Sequence, residues 1–136
     1  MNYYIYLITP FLAWLICGIT KFVVNCLKER RLAFDLIGYG GMPSNHSAIV
    51  SSTASLIAFD EGINTPAFGI SLTLAFIVIL DASSLRKQIG KHAQVINQLE
   101  NYQGEKIRER IGHSKLEILV GIIFGCCVGF ILGSFK

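Results

Sequence analysis

The sequence predicts an all-α integral membrane protein: a helical bundle of about four transmembrane helices with an amphipathic helical segment at the surface. Two observations carry that expectation. The chain is 52% hydrophobic and only 15% charged, with a mean hydropathy of +0.53. Its charges gather in a few places, and the runs between them approach the roughly 20 apolar residues that a helix needs to cross a hydrocarbon core. At 136 residues the chain reads as one membrane domain, 1–136.

The first apolar segment runs from Tyr4 to Leu27, with Pro10 near its start and Lys21 in its last turns. It has neither a basic n-region nor a small-x-small cleavage site, so it reads as a retained helix rather than a signal peptide. A loop with Lys28, Glu29, Arg30, Arg31 and Asp35 follows and ends in Gly38, Gly40 and Gly41. The second segment begins at Pro43 and continues to Phe59; proline suits a first helical position because its missing N–H has no partner there. Asp60-Glu61-Gly62 and Asn64-Thr65-Pro66 make a turn, with Thr65 as the N-cap of a third helix reaching Leu85. In the polar stretch 86–113, Val95, Ile96, Leu99, Ile107 and Ile111 fall at roughly helical spacing around Gly104, which predicts one or two amphipathic surface helices. The fourth span runs from Ser114 to Phe135.

Four spans put the first and third loops on one side and both termini on the other. Every Lys and Arg except Lys136 lies in or beside those two loops. The positive-inside rule therefore assigns them to the cytoplasmic face of the cell's inner membrane. The net charge of +3 is too small and too localised to suggest a nucleic-acid partner. Cys17, Cys26, Cys126 and Cys127 sit in apolar runs without metal-site or disulfide spacing and read as small packing residues. The fourth span carries Gly121, Gly125, Gly129 and Gly133, a four-residue repeat that lets another helix approach closely. That helix belongs either to the same chain or to a second copy in a homodimer. Ser47, Ser51 and Ser55 form a similar stripe on the second span and read as packing residues.

Two histidines sit where a polar loop meets an apolar segment. His46 follows Gly41-Met42-Pro43-Ser44, where free backbone N–H groups and the positive end of a helix dipole form a site for an anion. Gly41 allows close backbone approach there, and Ser44 can donate a hydrogen bond. The bland alternative is an interfacial histidine at a helix start. His113 opens the fourth span with Glu117 four residues on, one helical turn away. A carboxylate on one imidazole nitrogen fixes the tautomer and frees the other nitrogen to attack. Glu117 also reads as the N3 residue of a capping box opened by Ser114, and the two roles are compatible. Lys21 and Asp81 are charges inside spans, which usually face the protein interior. Asp81 has Arg86 or Lys21 as a candidate partner, and Arg86 and Lys87 extend the basic set. Two histidines among such cations suit chemistry on a phosphate.

Pro43-Ser44-Asn45-His46 resembles the Pro-Ser-Gly-His element of type 2 phosphatidic acid phosphatases (PAP2), and Gly112-His113-Ser114-Lys115-Leu116-Glu117, followed by Gly121, resembles their last motif. With Asp81-Ala82 and Arg86 after the third span, the chain is similar to the divergent PAP2 branch, related to acid phosphatases and vanadium-dependent haloperoxidases. The resemblance implies that His113 is a nucleophile forming a phospho-histidine, that Glu117 orients it and that His46 protonates the leaving alkoxide. It further implies phosphate binding by Lys21, Ser44 and Arg86, with Lys87 beside them, and no metal or other cofactor. Asn45 stands where the family has Gly, and Ile107 stands where its Arg falls six residues before the nucleophile; Arg108 and Arg110 lie nearby. Arg86 lies six residues before His92, but His92 lacks an acid four residues on, since that position is Ile96. His113 is therefore the expected nucleophile. The implied activity is hydrolysis of a lipid phosphomonoester or diphosphate. Phosphatidylglycerophosphate or phosphatidate ranks ahead of an undecaprenyl or other isoprenyl diphosphate. The reading from a different class is a non-catalytic membrane protein that binds anionic lipid.

Overall fold

The computed structural model describes residues 3–34, 41–99 and 103–135. Asp35, Gly38, Gly40 and Lys136 lie outside them. Five helices follow in order: α1 (Tyr4–Glu29), α2 (Asn45–Asp60), α3 (Pro66–Leu80), α4 (Arg86–Asn97) and α5 (Lys115–Ser134). Among the described residues there is no strand. Among the described residues, three stretches are long and apolar enough to cross a membrane: α1, the continuous run Pro66–Asn97 and α5. Their outward faces carry Leu7, Phe11, Leu72, Phe76, Ile123 and Phe130, all more than half exposed, as expected where lipid is the solvent.

The helix at the second predicted span differs. At 16 residues, α2 is about 24 Å long at 1.5 Å per residue, short of a hydrocarbon core of roughly 30 Å. It packs against α1, α3 and α5 and buries Ser47, Ala48, Ser51, Ser52, Ala54 and Leu56. Its small, hydroxyl-rich sequence belongs to an interior helix that meets protein on several sides.

The α2–α5 contact answers the question posed by the glycine repeat. A Cβ on Gly121, Gly125 or Gly129 would collide with the carbonyl oxygens of Ser44, Ala48 and Ser52, and one on Gly133 with the Phe59 ring. The two helices run parallel with their small residues interlocked, and Ser55 Oγ donates to the Cys126 carbonyl at 3.1 Å. Of the two partners left open for the Gly121, Gly125, Gly129 and Gly133 stripe, a helix of the same chain or a second copy in a homodimer, the structure supplies the first: α2 covers it. At the far end the Tyr6 hydroxyl donates to the Asp60 carboxylate, so α1 runs antiparallel to α2.

Two boundaries also move. Ser44, not Pro43, sets the start of α2. Its Oγ accepts from Ser47 N–H at 3.4 Å, and Pro43 stays outside on a cis peptide bond. A serine N-cap satisfies a backbone donor that would otherwise lack a partner. His46 consequently lies within the first turn. Thr65 caps α3 as expected, with Phe68 N–H at 3.3 Å from its Oγ1. The helix then does not stop at Leu85 but passes through a π-helical turn, Asp81–Leu85, into α4. Beyond α4, residues 103–113 are irregular rather than a second surface helix.

Candidate active site

The two histidine junctions meet through the backbone. Ser44 N–H donates to the Glu117 carbonyl at 3.0 Å, and His113 N–H donates to the Ala82 carbonyl at 3.1 Å. The starts of α2 and α5 and the π-helical turn are thereby laced together. The His46 and His113 rings lie 6.1 Å apart, centroid to centroid. His113 is 6% exposed. Its Nδ1 is 3.3 Å from Glu117 Oε2, which also accepts from Ser114 N–H at 2.9 Å. Ser114 Oγ in turn accepts from Glu117 N–H at 3.2 Å. The capping box and the His–carboxylate pair are therefore one construction: the cap holds the carboxylate where it can hold the ring.

Glycines and one asparagine bring the basic groups in. Gly112 has φ +95°, and a Cβ there would press on the Lys87 backbone and stem. A side chain at Gly90 would collide with the Glu109 carbonyl. Asn97 Nδ2 donates to the Ile107 carbonyl at 2.7 Å, and Asn97 Oδ1 accepts from Ile107 N–H at 2.9 Å. Residues 107–113 are thus drawn back along α4. Arg86 Nε donates to Asp81 Oδ2 at 2.7 Å across the π-helical turn, so of the two candidate cations Arg86 is a structural partner of Asp81. π-Bulges of this kind recur at functional sites because they re-aim side chains.

A cavity of about 670 Å³ opens between α1, the start of α2 and residues 108–113. His46, His113, Lys21, Arg86 and Arg108 all line it. The remaining expected residues are placed otherwise. Ser44 is fully buried as the cap of α2. Lys87 is exposed with its stem beside Gly112, and Gly41 holds φ +140° near Asn25. Neither Arg110 nor His92 lines the cavity, and His92 is exposed on α4. The cavity is also lined by Asn25 and Asn45, two polar side chains to which the motif reading gave no role. The substitution of Asn45 for the family's Gly was the one available signal. Asn45 Oδ1 and His46 Nδ1 are buried without a hydrogen-bond partner among the described residues.

Burial, and after it the charge of Lys21, hold the His113 imidazole below the ordinary histidine value, against the opposing hydrogen bond and charge of Glu117. A neutral imidazole with Nδ1 engaged offers Nε2 as a nucleophile. Among the described residues, no three His, Cys, Asp or Glu side chains are grouped to hold a metal ion.

Fold and site together define a multi-pass helical membrane protein whose two histidine-bearing helix starts share a basic cavity. A family model described as "Divergent PAP2 family" matches residues 4–128, and the chain belongs to that family. It is 27% identical over 148 aligned positions to a Bacillus subtilis (strain 168) protein described as "Uncharacterized membrane protein YuiD", with 95% of this chain and 94% of the relative covered. No solved structure matches the chain. Membership of this family points to a phosphatase-related role.

Proposed function

We propose that the protein is a membrane phosphatase that hydrolyses a lipid phosphate through a phospho-histidine on His113. The observation that carries this reading is the shared cavity: a buried His113 paired with Glu117, His46 at 6.1 Å ring separation, and Lys21, Arg86 and Arg108 around them. The three cations would hold the phosphate oxygens, with the guanidinium groups suited to bidentate contact. His113 Nε2 attacks phosphorus; the N–P bond forms as the P–O bond to the lipid alkoxide breaks, and His46 gives its proton to the departing oxygen. Water then attacks the phospho-histidine, His46 takes the water's proton, the N–P bond breaks and inorganic phosphate leaves. Glu117 stabilises the imidazolium that forms in the first step. This chemistry runs through side chains and requires no metal. Ser44 would contribute by fixing the start of α2, and Lys87 as a nearby positive charge.

The basic loops flank the site, and the positive-inside rule would put it at the cytoplasmic face of the inner membrane. That face favours phosphatidylglycerophosphate or phosphatidate over an isoprenyl diphosphate. The same cations would also serve a protein that binds anionic lipid without chemistry, so the test must read turnover. Phosphate release from a lipid panel by the purified protein should fall by several orders of magnitude in His113→Ala, as for other nucleophiles of this type. Full activity in that variant, with the protein folded, would remove the nucleophile assignment. Binding of anionic lipid with no turnover by any form would favour the non-catalytic reading.

A further inference from the structure

The cavity is larger than its charged end requires. A phosphate has five heavy atoms; at about 30 Å³ per water-sized volume it fills roughly 150 Å³ of the about 670 Å³ present. Away from the cations, the lining is apolar: Trp14, Leu15, Gly18, Ile19, Phe22 and Ile49. On α1, Trp14, Gly18, Lys21 and Asn25 follow a 4-3-4 spacing that puts them on one helix face. Trp14 lies seven residues before Lys21, about 10 Å down the axis of a helix that is itself apolar enough to span a membrane. Trp14, Leu15 and Ile19 are 53%, 48% and 56% exposed, so the outer rim of this end opens towards the lipid side.

Gly18 keeps that end wide. The glycines of α5 are dictated by collision with α2, but a Cβ at Gly18 meets only Asn45 Nδ2, at 3.8 Å, which is ordinary contact. Packing of the chain would accept a side chain there, and glycine in a helix interior costs about 1 kcal/mol relative to alanine. The room at Gly18 is therefore available to something other than protein.

We propose that this end of the cavity seats the hydrocarbon tail of the substrate, entering sideways from the bilayer, and that Gly18 determines whether a tailed phosphate fits. The proposal rests on the phosphate assignment above and names the tail as the second recognised element.

Trp14 is the only tryptophan in the chain and lines the proposed seat, so it reports occupancy without turnover. Full-length protein in bilayer nanodiscs is mixed with an alkyl phosphate brominated along its chain, or with a brominated neutral lipid at the same mole fraction. The phosphate-headed probe should quench Trp14 fluorescence beyond the neutral one, and Gly18→Leu should raise its half-saturating fraction by about tenfold, the scale of a lost apolar pocket contact. In a parallel assay, Gly18→Leu should lower the ratio of kcat/KM for a long-chain lipid phosphate to that for a water-soluble aryl phosphate by about tenfold, with Gly18→Ala in between. Equal quenching by both probes, or an unchanged ratio in Gly18→Leu, would overturn the tail seat. Head-group-dependent quenching without hydrolysis of any phosphate would keep the seat and overturn the phosphatase reading instead.

Discussion

Replacing Glu117 by Gln separates the two duties that one carboxylate performs. Glutamine still suits the N3 position of a capping box, so the Ser114 cap and the start of α5 should survive. What is lost is the negative charge 3.3 Å from His113 Nδ1. A hydrogen bond to a charged group contributes about 1.5–3 kcal/mol, and each 1.36 kcal/mol is tenfold in rate, so kcat should fall by roughly 10- to 150-fold. The pH profile supplies the second signature. Glu117 raises the His113 pKa against burial and Lys21, so removing its charge lets that pKa fall further. The nucleophile then stays neutral to lower pH, and the acid limb of kcat/KM should move to lower pH even as the plateau drops. Steady-state phosphate release across pH, with unfolding followed in the same detergent, reads both effects. An acid limb that moves upwards, or an unchanged kcat with intact folding, would refute the orienting role.

Gly125→Leu forces a side chain into the Ala48 carbonyl and should destabilise the bundle by about 1–3 kcal/mol, seen as a lower unfolding temperature. Asp81→Asn frees Arg86 from a pair whose side chains are 35% and 32% exposed. Its effect on stability should be about 0–1 kcal/mol, while KM for the lipid phosphate rises because Arg86 is no longer aimed. His92→Ala should leave phosphate release within about twofold of wild type, since a substitution on an exposed surface away from the cavity usually changes free energies by no more than about 0.5 kcal/mol. A chelator should leave turnover intact, measured as phosphate release before and after dialysis against it.

Features set by neighbours in sequence were legible before the structure. Thr65 and Ser114 announce helix starts because a cap acts within three residues, and the His113–Glu117 spacing survives as a contact because one helical turn fixes it. Pairings between distant segments were not. The Gly121–Gly133 stripe and the Ser47–Ser55 stripe were each visible, yet nothing local says that they pack on one another rather than on a second chain. The polar stretch that begins at Arg86 suggested an end to the third helix at Leu85, whereas the ladder continues through a π-helical turn braced by Asp81 and Arg86 into α4. Arg108 reaches the cavity for a reason outside helical periodicity. Asn97 and the bare face of Gly90 hold residues 107–113 in an extended return, so counting six residues back from His113 lands on Ile107 and misses it.

The central claim is that phosphate passes through His113. Rapid acid-free quenching of the protein turning over a phosphate-labelled substrate, followed by peptide mapping under alkaline conditions, tests it most directly. The account predicts label on the peptide containing His113, absent in His113→Ala and chased out by excess unlabelled substrate. Turnover without label on that peptide, or label on His92 or His46 instead, would contradict it.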